Sequence, residues 1–369
     1  MKSPAEPQKL NHLVLTDFKT RYDFEQVEMS GLKSPITIEF YEKWLARNQH
    51  GTMSYLETHL ATKKDLRQLS PLNSELKSAI VFAQSYLQPP AHVAKNQAAR
   101  VAMYAQSSDY HHWLKEKIVK VITELQQQFP NETFLPFVDS GPVLERDLAY
   151  QNGLGWFGKN SCLIHPKHGS LFFIAEILCS ISIDLFTAPE VEPLPDFCGT
   201  CTRCIDICPT QAINSDRSLK ADQCISYLTI ESKTVPPIEL RTKIGDWFFG
   251  CDLCQTTCPW NQKVFKRKAI ADERTSVERT LTLSKEKRED VIAYLKQILN
   301  SSGKQLQKIF LGSPLARGGH FGLKRNAMIV VANQKLFELA PDVEMYLKDD
   351  RLGELAQWAL NQLGEFVKD

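Results

Sequence analysis

Apolar and polar positions follow two different periods in the first half of the chain. Short apolar runs and period-two alternation predict strands, whereas apolar residues three and four positions apart predict amphipathic helices. The predicted strands cover residues 22–29, 79–86, 100–105, 134–138 and 171–182. The predicted helices cover residues 36–48, 110–129 and 143–152. Because strands alternate with helices, the pattern predicts an α/β (α+β) domain at the N-terminus.

The last third of the chain has helical periodicity throughout. Helices are predicted over residues 291–299, 305–310, 324–332, 335–339 and 352–363. The later ones resemble HEAT-like repeat packing, but one or two repeats are too few for a free-standing solenoid, so we expect them to pack against the rest. A Pro- and Glu-rich linker follows residue 187. The predicted domains are residues 1–188, 189–262 and 263–369.

Two cysteine runs lie between the helical third and the N-terminal domain. The first has the complete C-x2-C-x2-C-x3-C-P spacing that holds [4Fe–4S] clusters in bacterial ferredoxins, and it consists of Cys198, Cys201, Cys204 and Cys208. The second keeps only the last three cysteines, which are Cys251, Cys254 and Cys258. Phe248 stands where its first cysteine is expected, and Cys224 is the obvious replacement.

The two runs together supply eight thiolates, enough for two clusters. In two-cluster ferredoxins the fourth cysteine of each run ligates the other cluster. This rule gives one cluster Cys198, Cys201, Cys204 and Cys258, and gives the other Cys208, Cys224, Cys251 and Cys254. Structural zinc is an alternative, although it does not need the third cysteine or the trailing proline. Disulfides would need an oxidising compartment, of which the sequence gives no sign.

Composition changes this picture in three ways. The chain has 369 residues, is 43% apolar and 24% charged, and so has room for two or three soluble domains. Its first residues lack the apolar core of a signal peptide, and Glu176 and Asp184 interrupt the most apolar stretch, so we expect a cytoplasmic protein without a membrane span. Cys162 and Cys179 fit no cluster spacing and are predicted to be buried apolar residues.

The net charge of +1 hides an uneven distribution. Residues 259–325 contain fifteen Lys or Arg against six Asp or Glu, whereas the remaining tail contains four against eight. A local surplus of positive charge is typical of a surface that meets polyanions. A solvated, charged helix face is the alternative.

Two stretches of the N-terminal domain carry candidate chemistry. Asp139 follows a predicted strand and precedes Ser-Gly-Pro, a common position for a catalytic group, although an Asp there could instead cap the next helix. Gly153, Gly155 and Gly158 allow close approach of the backbone to a ligand, although they could simply form tight turns. All-cysteine clusters transfer electrons, so an electron acceptor is expected in this domain.

Several motifs together resemble one enzyme family. They are Val-Asp-Ser-Gly-Pro at residues 138–142, Gly-Trp-Phe-Gly-Lys-Asn at 155–160, the first cysteine run, Cys-Ile-Ser-Tyr-Leu-Thr-Ile-Glu at 224–231 and Cys-Pro-Trp-Asn at 258–261. With residues 104–114, they resemble the epoxyqueuosine reductases, cobalamin-dependent iron–sulfur enzymes of queuosine biosynthesis in tRNA. The resemblance covers about residues 53–261 and is looser beyond.

The resemblance implies removal of the epoxide oxygen of epoxyqueuosine at the wobble position of tRNA anticodons, giving queuosine. Electrons would pass singly through two [4Fe–4S] clusters to cobalamin. Asp139, kept protonated by burial beside the corrin, would be the proton donor. The D-x-H-x-x-G corrinoid motif is absent, so the cobalt should lack a protein imidazole from that motif.

The resemblance also implies binding residues and partners. The expected cobalamin contacts are Tyr104, His111, Trp156, Lys159, Asn160, Ser226, Tyr227 and Glu231. The expected tRNA contacts in the basic stretch are Lys263, Lys266, Arg267, Lys268, Arg317, Lys324 and Arg325. We expect a monomer that meets tRNA carrying epoxyqueuosine and an electron donor of ferredoxin or flavodoxin type. The rival interpretations are a reductive dehalogenase-like corrinoid enzyme acting on a small molecule and a ferredoxin-type carrier without catalysis.

Overall fold

The computed structural model describes residues 12–87, 99–183, 191–267 and 285–364. Its strands are β1 (Gln26–Gly31), β2 (Ser78–Ser85), β3 (Arg100–Val101), β4 (Phe134–Phe137), β5 (Trp156–Phe157), β6 (Leu163–Ile164), β7 (Phe172–Cys179) and β8 (Trp247–Phe249). Its N-terminal helices are α1 (His12–Arg21), α2 (Ile38–Ala46), α3 (Leu60–Lys64), α4 (Tyr110–Gln128) and α5 (Glu145–Gln151).

Ten further helices follow in the second half of the described chain. Those of the cysteine-rich segment are α6 (Arg203–Asp206), α7 (Ile225–Ile230), α8 (Ile238–Arg241), α9 (Leu253–Thr256) and α10 (Pro259–Arg267). Those of the C-terminal segment are α11 (Lys285–Asn300), α12 (Gly303–Ile309), α13 (Gly319–Asn333), α14 (Ala340–Glu344) and α15 (Gly353–Gly364).

The N-terminal domain is built on a four-stranded sheet in the order β1-β2-β7-β4. Every neighbouring pair in it is antiparallel; Phe82 pairs with Ala175, and Phe137 pairs with Glu176. The domain is therefore α+β, and the parallel arrangement that an α/β description implies is wrong. Residues 100–105 are also not a full strand, because only β3 is extended and it pairs with β8 outside this sheet.

The alternating side chains of the central strands fill two apolar layers. On one face, Ile80 and Ile177 pack with Leu114 and Ile118 of α4. On the other, Leu178 packs with side chains of α5. Because β2 and β7 are covered on both faces, nearly all of their residues are buried. The sheet therefore holds α4 and α5 on opposite sides of the end of β4, where Asp139 follows.

The C-terminal helices pack onto the cysteine-rich segment rather than standing alone, as expected. One core joins side chains from residues 99–105, 221–253 and 291–363. At its centre, Asn326 of α13 donates to the backbone carbonyls of Thr229 and Phe248 at 2.7 and 2.9 Å. This core crosses the predicted domain boundaries, which remain a prediction, as does the HEAT-like character of these helices.

Candidate active site and cysteine centre

Asp139 lies just beyond β4 among polar side chains, and we call this group the Asp139 pocket. Its backbone is left-handed, with φ 47°. Its carboxylate accepts a hydrogen bond from the Tyr110 hydroxyl, and lies 3.3 Å from Nε2 of His111 and 3.7 Å from a guanidinium nitrogen of Arg317. The side chain is still 47% exposed. A carboxylate with three polar neighbours and an open side can meet a substrate.

A glycine turn supports this position of Asp139. Gly141 has φ 137°, and a Cβ there would lie 2.6 Å from the Phe137 ring. Any larger residue would therefore both strain the backbone and displace the end of β4. The alternative role of Asp139 as a helix cap is not seen, because α5 follows Leu144 without a side-chain cap hydrogen bond.

The proton in this pocket rests on His111 rather than on Asp139. Burial opposes the imidazolium, but hydrogen bonds to Asp109 and Asp139 outweigh it and raise the pKa of His111 to about 9. Burial likewise opposes the carboxylate, but hydrogen bonds from His111 and Tyr110 and the charge of Arg317 lower the pKa of Asp139. These contacts hold the pKa of Asp139 low in the protein alone; that burial beside the corrin keeps Asp139 protonated stays a prediction.

Sequence reasoning missed part of this pocket. Tyr110 stacks on Phe173 with ring centroids 3.9 Å apart, which fixes its hydroxyl toward Asp139. Arg317 was predicted to contact tRNA phosphates, which stays a prediction, and its charge also acts on Asp139, Tyr110 and Glu231. A signal for Tyr110 did exist, because Asp109 caps α4 and thereby places the next two side chains at its N-terminus.

The structure separates the predicted cobalamin contacts into two groups. Tyr104 and His111 belong to the Asp139 pocket, since the Tyr104 ring packs edge-to-face on Tyr110 and His111 Nε2 lies 3.3 Å from Asp139. The charge of Glu231 acts on Tyr104 and Arg317 of the same group. Tyr227 is buried and its hydroxyl is engaged by Thr52 at 2.7 Å, so it does not line an open wall. Ser226 lies half-buried beside Cys224.

The remaining three predicted contacts lie at the cysteine centre instead. Trp156 is 1% exposed, and its indole N–H points to Sγ of Cys198 at 3.5 Å. Lys159 donates to the carbonyl of Gly199 at 2.7 Å, and Asn160 donates to the carbonyl of Cys254 at 3.3 Å. The glycine-rich loop therefore holds the cysteine segment, and the contact of these three residues with cobalamin stays a prediction.

The first set of four thiols surrounds a cavity of about 190 Å³. This set consists of Cys198, Cys201, Cys204 and Cys258. Burial, followed by the neighbouring Cys198 and Cys258, raises the thiol pKa of Cys204 to about 11. The rings of Trp156 and Trp260 pack edge-to-face at 4.9 Å beside the cavity. These four thiols are the ones that the spacing rule assigns to one cluster.

The second set consists of Cys208, Cys224, Cys251 and Cys254, all of them half-buried. Burial, then the neighbouring Cys224 and Cys208, keep the pKa of Cys251 well above its ordinary value. Backbone N–H groups point at these sulfurs, among them that of Ala212, 3.4 Å from Sγ of Cys208. Such hydrogen bonds tune the potential of an iron–sulfur cluster.

One hydrogen bond connects the segment of the second thiol set with the Asp139 pocket. Asp252, next to Cys251, accepts the backbone N–H of Met103 at 2.6 Å. Met103 directly precedes Tyr104, whose ring packs edge-to-face on Tyr110 at 6.3 Å. The second thiol set is therefore the one built against the pocket.

All ten cysteines lie within the described residues, and all are free. Cys179 is buried, as predicted, and is 3.1 Å from the Ser78 hydroxyl. Cys162 is only half-buried and lies among thiols of both sets, where burial raises its pKa to about 12.

The predicted tRNA contacts also divide. Lys263, Lys266 and Arg267 are exposed on α10. Lys324 is half-buried and donates to the Tyr346 hydroxyl at 2.7 Å. Lys268 lies outside the described residues.

Arg325 cannot contact tRNA, and its prediction as a contact is wrong. It is 0% exposed and donates to the carbonyls of Ser232 and Thr234 at 2.6 and 2.8 Å. From α13, Arg325 donates hydrogen bonds that hold the loop containing Ser232 and Thr234.

We expect Arg325→Met to destabilise the protein by about 2–3 kcal/mol, because it leaves the buried carbonyl of Ser232 and the part-buried carbonyl of Thr234 without their donor. Chemical denaturation measures the loss. The salt dependence of tRNA binding should stay unchanged in the folded variant, and a flatter dependence would instead restore Arg325 as a phosphate contact.

Comparisons with known proteins agree with this geometry. Residues 197–261 match the family model described as a 4Fe-4S double cluster binding domain. Residues 67–140, which lead up to and include Asp139, match the family model described as epoxyqueuosine reductase QueG, DUF1730. An epoxyqueuosine reductase of Pseudomonas aeruginosa is 32% identical, across 98% of this chain and 97% of that protein. The chain belongs to the epoxyqueuosine reductase family.

Other epoxyqueuosine reductases support this family assignment. Because these relatives are oxidoreductases, the chain is one as well, and the resemblance predicted from the sequence is confirmed. One from Cellulophaga algicola is 36% identical over 77% of this chain and 86% of its own length. A solved epoxyqueuosine reductase with an epoxyqueuosine-modified tRNA-Tyr stem loop is 25% identical, with a TM-score of 0.73 over 95% of this chain and 90% of that one. A selenomethionine-labelled epoxyqueuosine reductase superposes with a TM-score of 0.76 over the same shares. Within the described ranges, no helix is long and apolar enough to cross a membrane.

Proposed function

We propose that this protein reduces the epoxide of epoxyqueuosine to queuosine at the wobble position of tRNA. The observation that carries the proposal is the half-exposed Asp139 carboxylate, held beside protonated His111 in a pocket that adjoins a set of four thiols. Family membership gives the substrate class, and a related enzyme was solved with an epoxyqueuosine-modified stem loop. Its working compartment is the cytoplasm, where tRNA is found.

The net reaction sets what the site must supply. Converting an epoxide to an alkene and water consumes two electrons and two protons. The eight thiols supply the ligands of two [4Fe–4S] clusters, each of which passes single electrons. Cys198, Cys201, Cys204 and Cys258 hold the outer cluster in this proposal, and Cys208, Cys224, Cys251 and Cys254 hold the inner one.

A cluster held by the outer four thiols would be the one that receives electrons from a donor. Its cavity is lined by Lys159, Arg203 and Lys263, and the adjacent Phe197 side chain is 47% exposed. A basic rim around an exposed ring suits an acidic one-electron donor of ferredoxin or flavodoxin type. Cys208, Cys224, Cys251 and Cys254 would hold the inner cluster next to the pocket, through Asp252 and Met103, and a cluster there would supply electrons to the substrate side.

Cobalamin fits the pocket by the chemistry of its groups. When bound, it supplies a low-valent cobalt centre that delivers two electrons. Tyr104, His111 and Glu231 would hold it. Both ring nitrogens of His111 already contact carboxylates, Nδ1 with Asp109 at 2.6 Å and Nε2 with Asp139 at 3.3 Å, so neither nitrogen is free to bind a metal. This agrees with the absence of the histidine corrinoid motif.

Asp139 delivers the first proton with His111 as its source. As the epoxide C–O bond breaks, negative charge grows on oxygen, and Asp139 is the open group that can reach it. His111 Nε2 passes its proton through the Asp139 carboxylate, and Arg317 compensates the charge. The pair thus acts as a general acid.

The basic α10 face and the pocket rim position the tRNA. Lys263, Lys266, Arg267, Arg317 and Lys324 are the proposed phosphate contacts. The wobble nucleotide must be splayed out of the loop to reach Asp139, as enzymes that act on bases require.

We expect the double variant Lys266→Ala/Arg267→Ala to weaken tRNA binding and to reduce the slope of log affinity against log salt by about 1–2. The slope falls because a protein with fewer phosphate contacts displaces fewer counterions when it binds. Binding titrations at several salt concentrations measure the slope. Lys64→Ala/Arg67→Ala, a basic pair of the N-terminal domain, is the control. An unchanged slope would remove α10 from the interface.

The function itself is tested on anaerobically reconstituted protein given epoxyqueuosine-containing tRNA and a low-potential reductant. Mass analysis of the nucleosides should show queuosine. Reduction of a small halogenated compound with no change to the tRNA would instead support the dehalogenase-like alternative. Iron without any corrin binding would leave a plain electron carrier.

A further inference from the structure

The Trp156 side chain joins the N-terminal domain to the outer set of thiols. Its indole N–H donates to Sγ of Cys198, with 3.5 Å between Nε1 and the sulfur. The Trp156 ring is only 1% exposed, whereas the Phe197 ring that packs on it is 47% exposed. A buried donor is therefore aimed at a predicted cluster ligand, next to an aromatic residue that a partner protein can reach.

Packing fixes the direction of the Trp156 ring. The strand that contains Trp156, β5, pairs with β6, and a Cβ at Gly155 would lie 2.5 Å from the carbonyl oxygen of Ile164. A glycine is therefore needed for this close approach of the two strands. The rings of Phe197 and Trp260 pack edge-to-face on the indole, with centroids 5.0 and 4.9 Å away. The indole N–H consequently has one defined direction.

The segment around Cys198 is held in place as well. Asp196 accepts the backbone N–H of Cys198 at 2.8 Å, and Arg217 pairs with the Asp196 carboxylate. On the other side of the cysteine, Lys159 donates to the carbonyl of Gly199 at 2.7 Å. Because the donor and the sulfur are both fixed, the N–H···S contact needs little further ordering when a cluster binds.

An N–H donor on a ligand sulfur favours the reduced state of a [4Fe–4S] cluster. One-electron reduction adds negative charge, part of which lies on the thiolate sulfurs, and a hydrogen bond to a more negative acceptor is stronger. Burial increases this difference, because water screens the contact less. Hydrogen bonds to the sulfurs are accordingly one of the means by which a protein sets the reduction potential of its cluster.

We propose that Trp156 raises the reduction potential of the outer cluster through Cys198, so that this cluster accepts the electron of the donor. The inference rests on the proposed function, which places a cluster on Cys198, Cys201, Cys204 and Cys258. The step moves one electron from an acidic donor of ferredoxin or flavodoxin type, which is oxidised, to the cluster, which is reduced; no bond forms or breaks. Trp156 acts through Cys198 and is a positioning residue.

The inner set has donors of its own, which provides an internal comparison. The hydroxyl of the buried Thr210 lies 3.5 Å from Sγ of Cys208, and the backbone nitrogen of Ala212 lies 3.4 Å from the same sulfur. Trp156→Phe and Thr210→Val each remove one side-chain donor and leave an apolar side chain of similar shape. The two variants should therefore shift the potentials of two different clusters.

The test is a redox titration of anaerobically reconstituted protein, followed by electron paramagnetic resonance. In the Cys224→Ala background the outer cluster alone should remain, so its signal is read without overlap. At a fixed solution potential, Trp156→Phe should lower the ratio of reduced to oxidised outer cluster about tenfold, which is a fall of about 59 mV in the midpoint for one electron. Trp260→Phe, which removes an indole from the same cavity, should leave that midpoint unchanged. In the two-cluster protein, Thr210→Val should move the inner midpoint instead.

A second measurement does not require the Trp156 variant to fold. Protein labelled with a nitrogen isotope in its indoles should show, by pulsed electron paramagnetic resonance, a nitrogen coupling to the reduced outer cluster. Trp260→Phe should keep this coupling, and Trp156→Phe should lose it. Absence of the coupling, or an outer midpoint that Trp156→Phe leaves unchanged, would overturn the inference.

Turnover separates a change of potential from a merely structural defect. With viologens of graded potential as donors, Trp156→Phe should need a more negative donor for half-maximal turnover, whereas a structural defect would lower turnover equally at every donor potential. A shift of the inner midpoint in Trp156→Phe would overturn the assignment of Cys198 to the outer cluster, and the inference with it. Failure of the iron-loaded wild type to convert epoxyqueuosine would overturn the proposed function, and the redox titration would then decide separately on Trp156.

Discussion

Replacing Asp139 by asparagine is expected to lower turnover of epoxyqueuosine by roughly 10²–10⁴-fold, the usual contribution of a general acid. The amide can still accept hydrogen bonds from Tyr110 and His111, so the pocket should keep its shape. It cannot, however, pass a proton from His111 to the substrate oxygen. Nucleoside analysis by mass measures turnover, while iron content and corrin absorption show whether both cofactors remain.

The same variant tests the pairing of Asp139 with His111. Asp139 is one of two carboxylates that raise the pKa of His111 to about 9, so its neutralisation should lower the His111 titration midpoint. Histidine NMR of the substrate-free protein measures that midpoint. Asp23→Asn is a matched control, since Asp23 is exposed and also left-handed, with φ 50°. Turnover equal to the wild type would remove Asp139 from the mechanism.

Local patterns predicted the elements better than their arrangement. The apolar runs at residues 79–86 and 171–182 became β2 and β7 nearly in full. Their antiparallel pairing was not visible, because a strand buried on both faces loses the alternation that distinguishes antiparallel sheets. The direction of a neighbouring strand depends on connections through the whole domain, which no single segment records.

The cysteines were predictable because their chemistry is encoded locally. Spacings of two and three residues fix which thiols can face one cluster, and counting then pointed to Cys224. The glycine-rich loop carried less information. Its glycines indicate that the backbone approaches something closely, but not what, and the structure places Trp156 against Cys198.

The distribution of charge along the sequence predicted the positions of side chains less well than the other patterns did. Arg317 and Arg325 lie eight positions apart in one basic stretch, yet one faces Asp139 and the other is enclosed in the core. Composition counts charges but does not say which face of a helix they occupy. The ionisation of Asp139 was hidden for a similar reason, because its partners come from α4 and from the segment before α13.

Replacing Cys224 by alanine is expected to remove the inner cluster and abolish turnover. Cys224 lies on a separate segment, at the start of α7, where the backbone N–H groups of Ser226 and Tyr227 point at its sulfur. Three thiols would remain in the inner set, leaving one iron exposed to solvent and exchange. Iron content should fall from about eight to about four per chain, since each cluster contains four.

The position of the inner set makes this loss more damaging than its iron count suggests. Cys251 adjoins the Asp139 pocket through Asp252 and Met103, so the outer cluster alone has no such link to the substrate side. Reduced Cys224→Ala protein should therefore show the electron paramagnetic resonance signal of one cluster, bind tRNA normally and yield no queuosine. Cys179→Ala, which changes a buried cysteine hydrogen-bonded to Ser78, should keep all the iron. Full iron in Cys224→Ala would mean that another ligand completes the inner cluster, and Cys162, which lies among both thiol sets, would be the first to replace.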